Sequence, residues 1–181
     1  MLLEAPHAPG AEPRPRAPLY TPEQRERRDA TRWTLVQGVL APVQFLAFAI
    51  SLVLVLRTLA TGAGAEAAAI SVVVKTGLLY AIMVTGAIWE KVVFGRYLFA
   101  KAFFWEDVFS MLVLALHTAY LWALFSGALA TNQQLWLALA AYAAYVVNAG
   151  QFVLKLRAAR LDEKRAREAA APDARLEARA A

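Results

Sequence analysis

Four long apolar runs separated by short polar connectors organise the chain. They extend from about Trp33 to Leu56, Ala67 to Trp89, Trp105 to Leu129 and Leu135 to Leu154. A helix needs about 20 residues to cross a hydrocarbon core of about 30 Å. Each run therefore predicts a membrane span, and the fold class follows as all-α, an integral membrane four-helix bundle. Outside the spans, residues 1–20 form an arm rich in Pro and Ala that predicts disorder. Residues 21–162 form the transmembrane domain with a short interfacial helix at its start, and 163–181 a charged tail that frays after Pro172.

Polar positions inside the spans have helical spacing. Gln37, Gln44 and Ser51 recur every seven residues, so they share a face that points at protein or a cavity rather than lipid. On the third span Glu106, Ser110, Val113, His117 and Tyr120 advance by three or four and form a polar seam. Asn148, Gln151 and Lys155 add a polar edge to the fourth. Pro42 predicts a kink, and Gly77 and Gly86 allow a close neighbouring helix. Before the first span, Thr21-Pro22-Glu23-Gln24 reads as a capped helix start with Gln24 completing a capping box. Trp89, Tyr97 and Trp105 flank the central connector at headgroup depth.

Charge sets topology. The N-terminal arm, the connector from Lys91 to Lys101 and the C-terminal tail hold six, three and eight of the 19 Lys and Arg, leaving Arg57 and Lys75. Basic segments stay in the cytoplasm, so four spans with both termini cytoplasmic satisfy the count. This puts Glu90, Glu106 and Asp107 at the inner rim and Lys75 and His117 near mid-depth, in two layers. A composition of 60% hydrophobic and 18% charged residues agrees. The net charge of +5 is a topology signal, since the basic segments lack the interleaved aromatics of a nucleic-acid site. Absence of cysteine excludes disulfides, thiolate metal sites and Cys nucleophiles. Phosphate-loop, dinucleotide-binding, zinc-protease and serine-hydrolase motifs are missing.

Candidate chemistry lies at the ionisable groups within membrane depth, each of which costs about 3 kcal/mol there if unpaired. Glu90, Glu106 and Asp107 under apolar cover suit a division into acid and base, although carboxylates at a helix N-terminus are also favoured by the macrodipole. His117 suits a proton relay, a contact to a porphyrin-type metal, or an ordinary buried hydrogen bond. Lys75 either snorkels outward or meets a carboxylate. No metal site is complete.

The strings LYTPEQRERRD, WTLVQGVLAPVQFLAF, NAGQFVLKLRAARLD and above all IWEKVVFGRYLFAKAFFWEDVFSMLVLALHT resemble the 3-vinyl bacteriochlorophyllide hydratase family of phototrophic bacteria, over residues 19–162. The resemblance implies a hydro-lyase of bacteriochlorophyll biosynthesis in photosynthesis. It would add water to the 3-vinyl group of chlorophyllide a or 3-vinyl bacteriochlorophyllide a, giving a 1-hydroxyethyl group. No cofactor is implied beyond the magnesium carried by the substrate macrocycle. The implied partners are that tetrapyrrole and membrane lipid, without nucleic acid, with a homo-oligomer or biosynthetic complex as the candidate assemblies, and the location is the bacterial inner (intracytoplasmic) membrane. The resemblance assigns no residue roles; from the physical reading of the residues, Glu90, Glu106, Asp107 and His117 are the catalytic candidates. Arg96 and Lys101 would hold the propionate, and Lys75, Trp89, Trp105 and Tyr120 would line the substrate. A non-catalytic chlorophyll-binding or photosystem assembly protein and a small proton-coupled transporter are the competing classes.

Overall fold

The computed structural model describes the backbone of residues 18–180 and the side chains of 18–165. It contains helices α1 (Pro22–Ala30), α2 (Arg32–Thr61), α3 (Ala65–Phe94), α4 (Phe104–Ser126) and α5 (Thr131–Ala180), with no strand among the described residues. Four of them are long and apolar enough to cross a membrane, and the protein is an all-α, multi-pass membrane protein. Large apolar side chains such as Phe45, Leu46, Val53, Trp122 and Phe125 lie on the outside, where lipid rather than water would solvate them.

Each helix ends for a local reason. Thr21 Oγ1 accepts from the Gln24 N–H at 3.3 Å while Gln24 Oε1 accepts from the Thr21 N–H at 2.9 Å, the expected capping box. Thr31 closes α1 and caps α2, accepting from the Trp33 N–H. Gly62, Gly95 and Gly127 take φ of 71°, 81° and 65° and terminate α2, α3 and α4, a left-handed exit that glycine makes without steric cost. Helices α2, α3 and α5 are longer than the apolar runs, whereas α4 stops at Ser126, short of Leu129. The 30 residues of α2 and of α3 rise about 45 Å, and α3 continues past Glu90 to Phe94. The connector shrinks to 95–103. Helix α2 passes unbroken through Pro42, and α5 continues through Pro172 to Ala180, so the expected fraying is not seen. Residues 1–17, most of the arm, lie outside the described residues, as do the tail side chains from 166 onward.

Helices α2 and α3 form one antiparallel hairpin, and α4 and α5 another, each more extensively packed within itself than against the other. Polar pairs fix the register. In the first hairpin Gln37 Nε2 donates to Thr85 Oγ1 at 2.7 Å, Ser51 and Ser71 hydroxyls lie 2.6 Å apart, and Trp89 Nε1 donates to Thr34 Oγ1 at 2.9 Å. In the second, Asn148 Nδ2 donates to Ser110 Oγ at 2.8 Å and Lys155 Nζ to Glu106 Oε2 at 2.6 Å. The stripe of Gln37, Gln44 and Ser51 faces protein as predicted and extends one heptad further to buried Thr58. The apolar core, including Phe48, Val55, Val72, Leu79, Val113 and Tyr142, lies between the hairpins.

Candidate active site

At the end of the bundle where α3 stops and α4 begins, Glu90, Glu106 and Asp107 are all buried. Asp107 lies in the first turn of α4 beside the seam residue Glu106, and Glu90 sits one turn before the end of α3, so the short connector brings the Glu90 and Asp107 carboxyls together. The Glu90 and Asp107 carboxyls lie close enough to interact directly and to share a hydrogen bond. Carboxylate oxygens only accept, so such a bond requires one proton held by the pair. Consecutive backbone groups of the connector add to it. The Phe99 N–H donates to Asp107 Oδ2 at 2.7 Å and the Ala100 N–H to Glu90 Oε2 at 3.3 Å. Phe99 attains this with φ 58°, alone among the described non-glycine residues in being left-handed, a conformation that costs about 1–2 kcal/mol. Phe99→Val, β-branched and ill suited to positive φ, is expected to withdraw that amide and slow the reaction several-fold, whereas Phe99→Gly should keep the rate of the parent protein. Steady-state turnover of the two variants in membranes tests the pair.

Glu106 is drawn the other way. Its Oε2 accepts from Lys155 Nζ, which also lies 5.1 Å over the Phe103 ring. The three carboxyls therefore do not act as one group: two are joined and the third is ion-paired across to α5. We expect Lys155→Met and Glu106→Gln to be non-additive in thermal stability, with a coupling of about 1 kcal/mol between contacting partners. Losses that simply add would show that the two side chains act apart.

Above the carboxyl pair lies an aromatic layer. Phe103 packs edge-on to Trp89 and Phe94 and stacks on Phe152, and Tyr20 stacks on Phe94 at 5.8 Å. Tyr20 is 2% exposed, so the last residues of the arm belong to the packed structure. Burial raises its phenol above the usual range, partly opposed by Arg28, whose guanidinium lies 4.7 Å from the ring centre. Arg28 also bonds to Glu163 at 2.9 Å, clasping α1 to α5. Trp89 is half-buried in this layer and not a free headgroup anchor, while Tyr97 and Trp105 are exposed on the perimeter. Arg96 and Lys101 are exposed in or beside the connector, away from the buried layer.

The second polar layer is deeper. Lys75 and His117 are fully enclosed, and Tyr120 is buried beside them on α4. Lys75 neither snorkels nor meets a carboxylate: its Nζ lies 4.0 Å from the Tyr145 ring centre and 5.8 Å from that of Tyr142, with no hydrogen-bond partner among the described residues. The reason is helical phase, which turns Lys75 into the bundle one seam away from any acid. His117 Nδ1 donates to the Val113 carbonyl at 2.8 Å, and its ring packs 5.9 Å from Tyr142. Gln44 lies buried in the same core with its amide unpaired.

A joined carboxyl pair, an aromatic layer and a buried imidazole lie within a lipid-facing bundle whose residues 20–158 match the family described as 2-vinyl bacteriochlorophyllide hydratase. The chain belongs to that family. It is 72% identical over 146 residues to the 2-vinyl bacteriochlorophyllide hydratase of Rhodobacter capsulatus, covering 81% of this chain and 85% of the relative. It is also 72% identical over 148 residues to the protein of that name from Cereibacter sphaeroides, covering 82% and 92%. No solved structure matches.

In this hydratase-family bundle the predicted site residues thus divide. Glu90 and Asp107 come together, Glu106 flanks them, Trp89 belongs to the aromatic cluster with Phe94 and Phe103, and Lys75, His117 and Tyr120 lie deeper. Arg96, Lys101 and Trp105 remain outside. Sequence reasoning missed the Phe99 and Ala100 amides, which no side-chain pattern signals, and the roles of Phe103 and Tyr20. Lys155 was visible as one of a polar edge on α5, but its pairing with Glu106 needed the α4–α5 register.

Proposed function

We propose that this protein is a hydro-lyase of bacteriochlorophyll biosynthesis that adds water to the ring-A vinyl group of a bacteriochlorophyllide-type tetrapyrrole. The position is numbered 2 or 3 according to the macrocycle convention. The observation that carries the mechanism is the buried Glu90–Asp107 pair, held by two backbone amides beneath an aromatic layer. Water addition needs a proton donor, an acceptor and a shielded slot. The pair's shared proton passes to the terminal vinyl carbon, whose π electrons form the new C–H bond and leave positive charge on the carbon next to the ring. Conjugation with the macrocycle spreads that charge. Water adds there through oxygen, and its surplus proton returns to the pair, which ends the cycle as it began. One macrocycle and one water give one hydroxyethyl product, with no redox partner.

The aromatic layer of Trp89, Phe94 and Phe103 offers flat apolar walls for a macrocycle, and Lys155 Nζ lies 5.1 Å from the Phe103 ring centre. The distribution of Lys and Arg supports a bacterial inner membrane setting with both termini and the carboxyl end cytoplasmic. Pigment chromatography of membranes containing the Glu90 and Asp107 variants tests the reading. Retained pigment without vinyl consumption by the parent protein would favour a pigment-binding protein instead.

A further inference from the structure

The middle of the bundle holds a polar layer that proton transfer at the carboxyl pair does not use. Gln44 on α2, Lys75 on α3 and His117 on α4 are 2%, 0% and 0% exposed. Both amide atoms of Gln44, Lys75 Nζ and His117 Nε2 have no hydrogen-bond partner among the described residues. Buried polar atoms are rarely unmatched, and each such instance calls for a physical reason. Four in one layer at membrane depth point to a ligand.

The imidazole says which kind. A carbonyl oxygen only accepts, so His117 Nδ1, 2.8 Å from the Val113 oxygen, carries the hydrogen. In the neutral ring the lone pair then belongs to Nε2. One nitrogen tied to the protein and the other bare is the arrangement of metal-ligating histidines. Among the described residues no group of three or more His, Cys, Asp or Glu is placed to complete a metal site. The lone pair therefore suits a metal that arrives with its other ligands already in place, as at the centre of a tetrapyrrole.

Access and distance agree with this. Gln44 and Lys75 belong to the α2–α3 hairpin, and His117 and Tyr142 to the α4–α5 hairpin, so the layer lies on the seam between them, where the contacts are fewer than within either hairpin. The same seam separates Glu90 from Asp107. A flat ligand arriving edge-on would part the hairpins, displacing the Ser51–Tyr142 and Lys75–Tyr145 contacts across the seam while the polar pairs inside each hairpin stay made. Asp107 and His117 are ten residues apart on α4, about 15 Å of rise. A macrocycle ligated at its centre by His117 would extend along the seam towards the carboxyl pair.

We propose that His117 Nε2 ligates the central metal of the substrate within this seam, with Lys75 and Gln44 facing the macrocycle from the opposite hairpin. The assignment rests on the tetrapyrrole reading above. The test is titration of the full chain in lipid nanodiscs, followed by visible absorption, with the magnesium macrocycle and with its metal-free counterpart. The parent protein is expected to bind the magnesium form at least about tenfold more tightly, and His117→Leu to bind both forms equally. Equal affinities in the parent protein, or a metal preference that survives in His117→Leu, would overturn the proposal. The parent titration needs no variant, so a misfolded substitution cannot obscure it. Failure of the hydration reading is distinct: a protein that prefers the magnesium form yet leaves its vinyl group unchanged loses the activity and keeps the ligand.

Discussion

Glu90→Gln is expected to cut vinyl hydration at least about a hundredfold, within the 10²–10⁴ range of a general acid–base group, while pigment still binds. Glutamine keeps the volume of the side chain and can still accept the Ala100 N–H, but it has no transferable proton and cannot receive one from water. Asp107→Asn should fall as far for the same reason, since the two carboxyls are hydrogen-bonded and hold their proton jointly. The double variant should be little worse than either single one, because residues that act as a unit lose their contribution together. Vinyl consumption in membranes, read by pigment chromatography beside a separate binding assay, decides the matter. Full activity in both single variants would remove the carboxyl pair from the mechanism.

Lys75→Met is expected to make the protein more stable and bind its pigment less well. A lone ammonium at the centre of a membrane span costs about 3 kcal/mol by insertion scales, and the Tyr145 ring 4.0 Å from Nζ returns about 2 kcal/mol at most when desolvated. Methionine fills similar space and makes its own sulfur–aromatic contacts. A net gain of about 1–2 kcal/mol follows, which for a chain of this size raises the melting temperature by roughly 2–8 °C. Pigment affinity should drop about fivefold if Lys75 faces the macrocycle. Thermal unfolding in nanodiscs with and without pigment measures both. A fall in melting temperature would mean that the ammonium has a partner that stabilises it, and an unchanged affinity would leave Lys75 a packing residue.

These two sites show where sequence reasoning reached and where it stopped. The four spans, the capped α1, the polar stripe on α2 and the seam on α4 were legible because each depends on spacing within one helix, where 3.6 residues per turn converts sequence into a face. The partition of charge into two layers was legible too, since depth follows from distance along a span. The seven-residue stripe even pointed the right way before its partners were known.

What only the tertiary structure decided was partnership across helices. Glu106 and Asp107 are neighbours in sequence, yet about 100° of helical turn sends one to Lys155 on α5 and the other to Glu90 on α3. Lys75 is enclosed without an acid because its phase on α3 and the packing of the α2–α3 hairpin against α5 set it over the Tyr145 ring. The Phe99 and Ala100 amides serve the carboxyls only because the chain bends through a left-handed residue there. Backbone direction in a connector and phase between helices arise from packing many side chains at once, and that cooperative choice has no local signature in the order of residues.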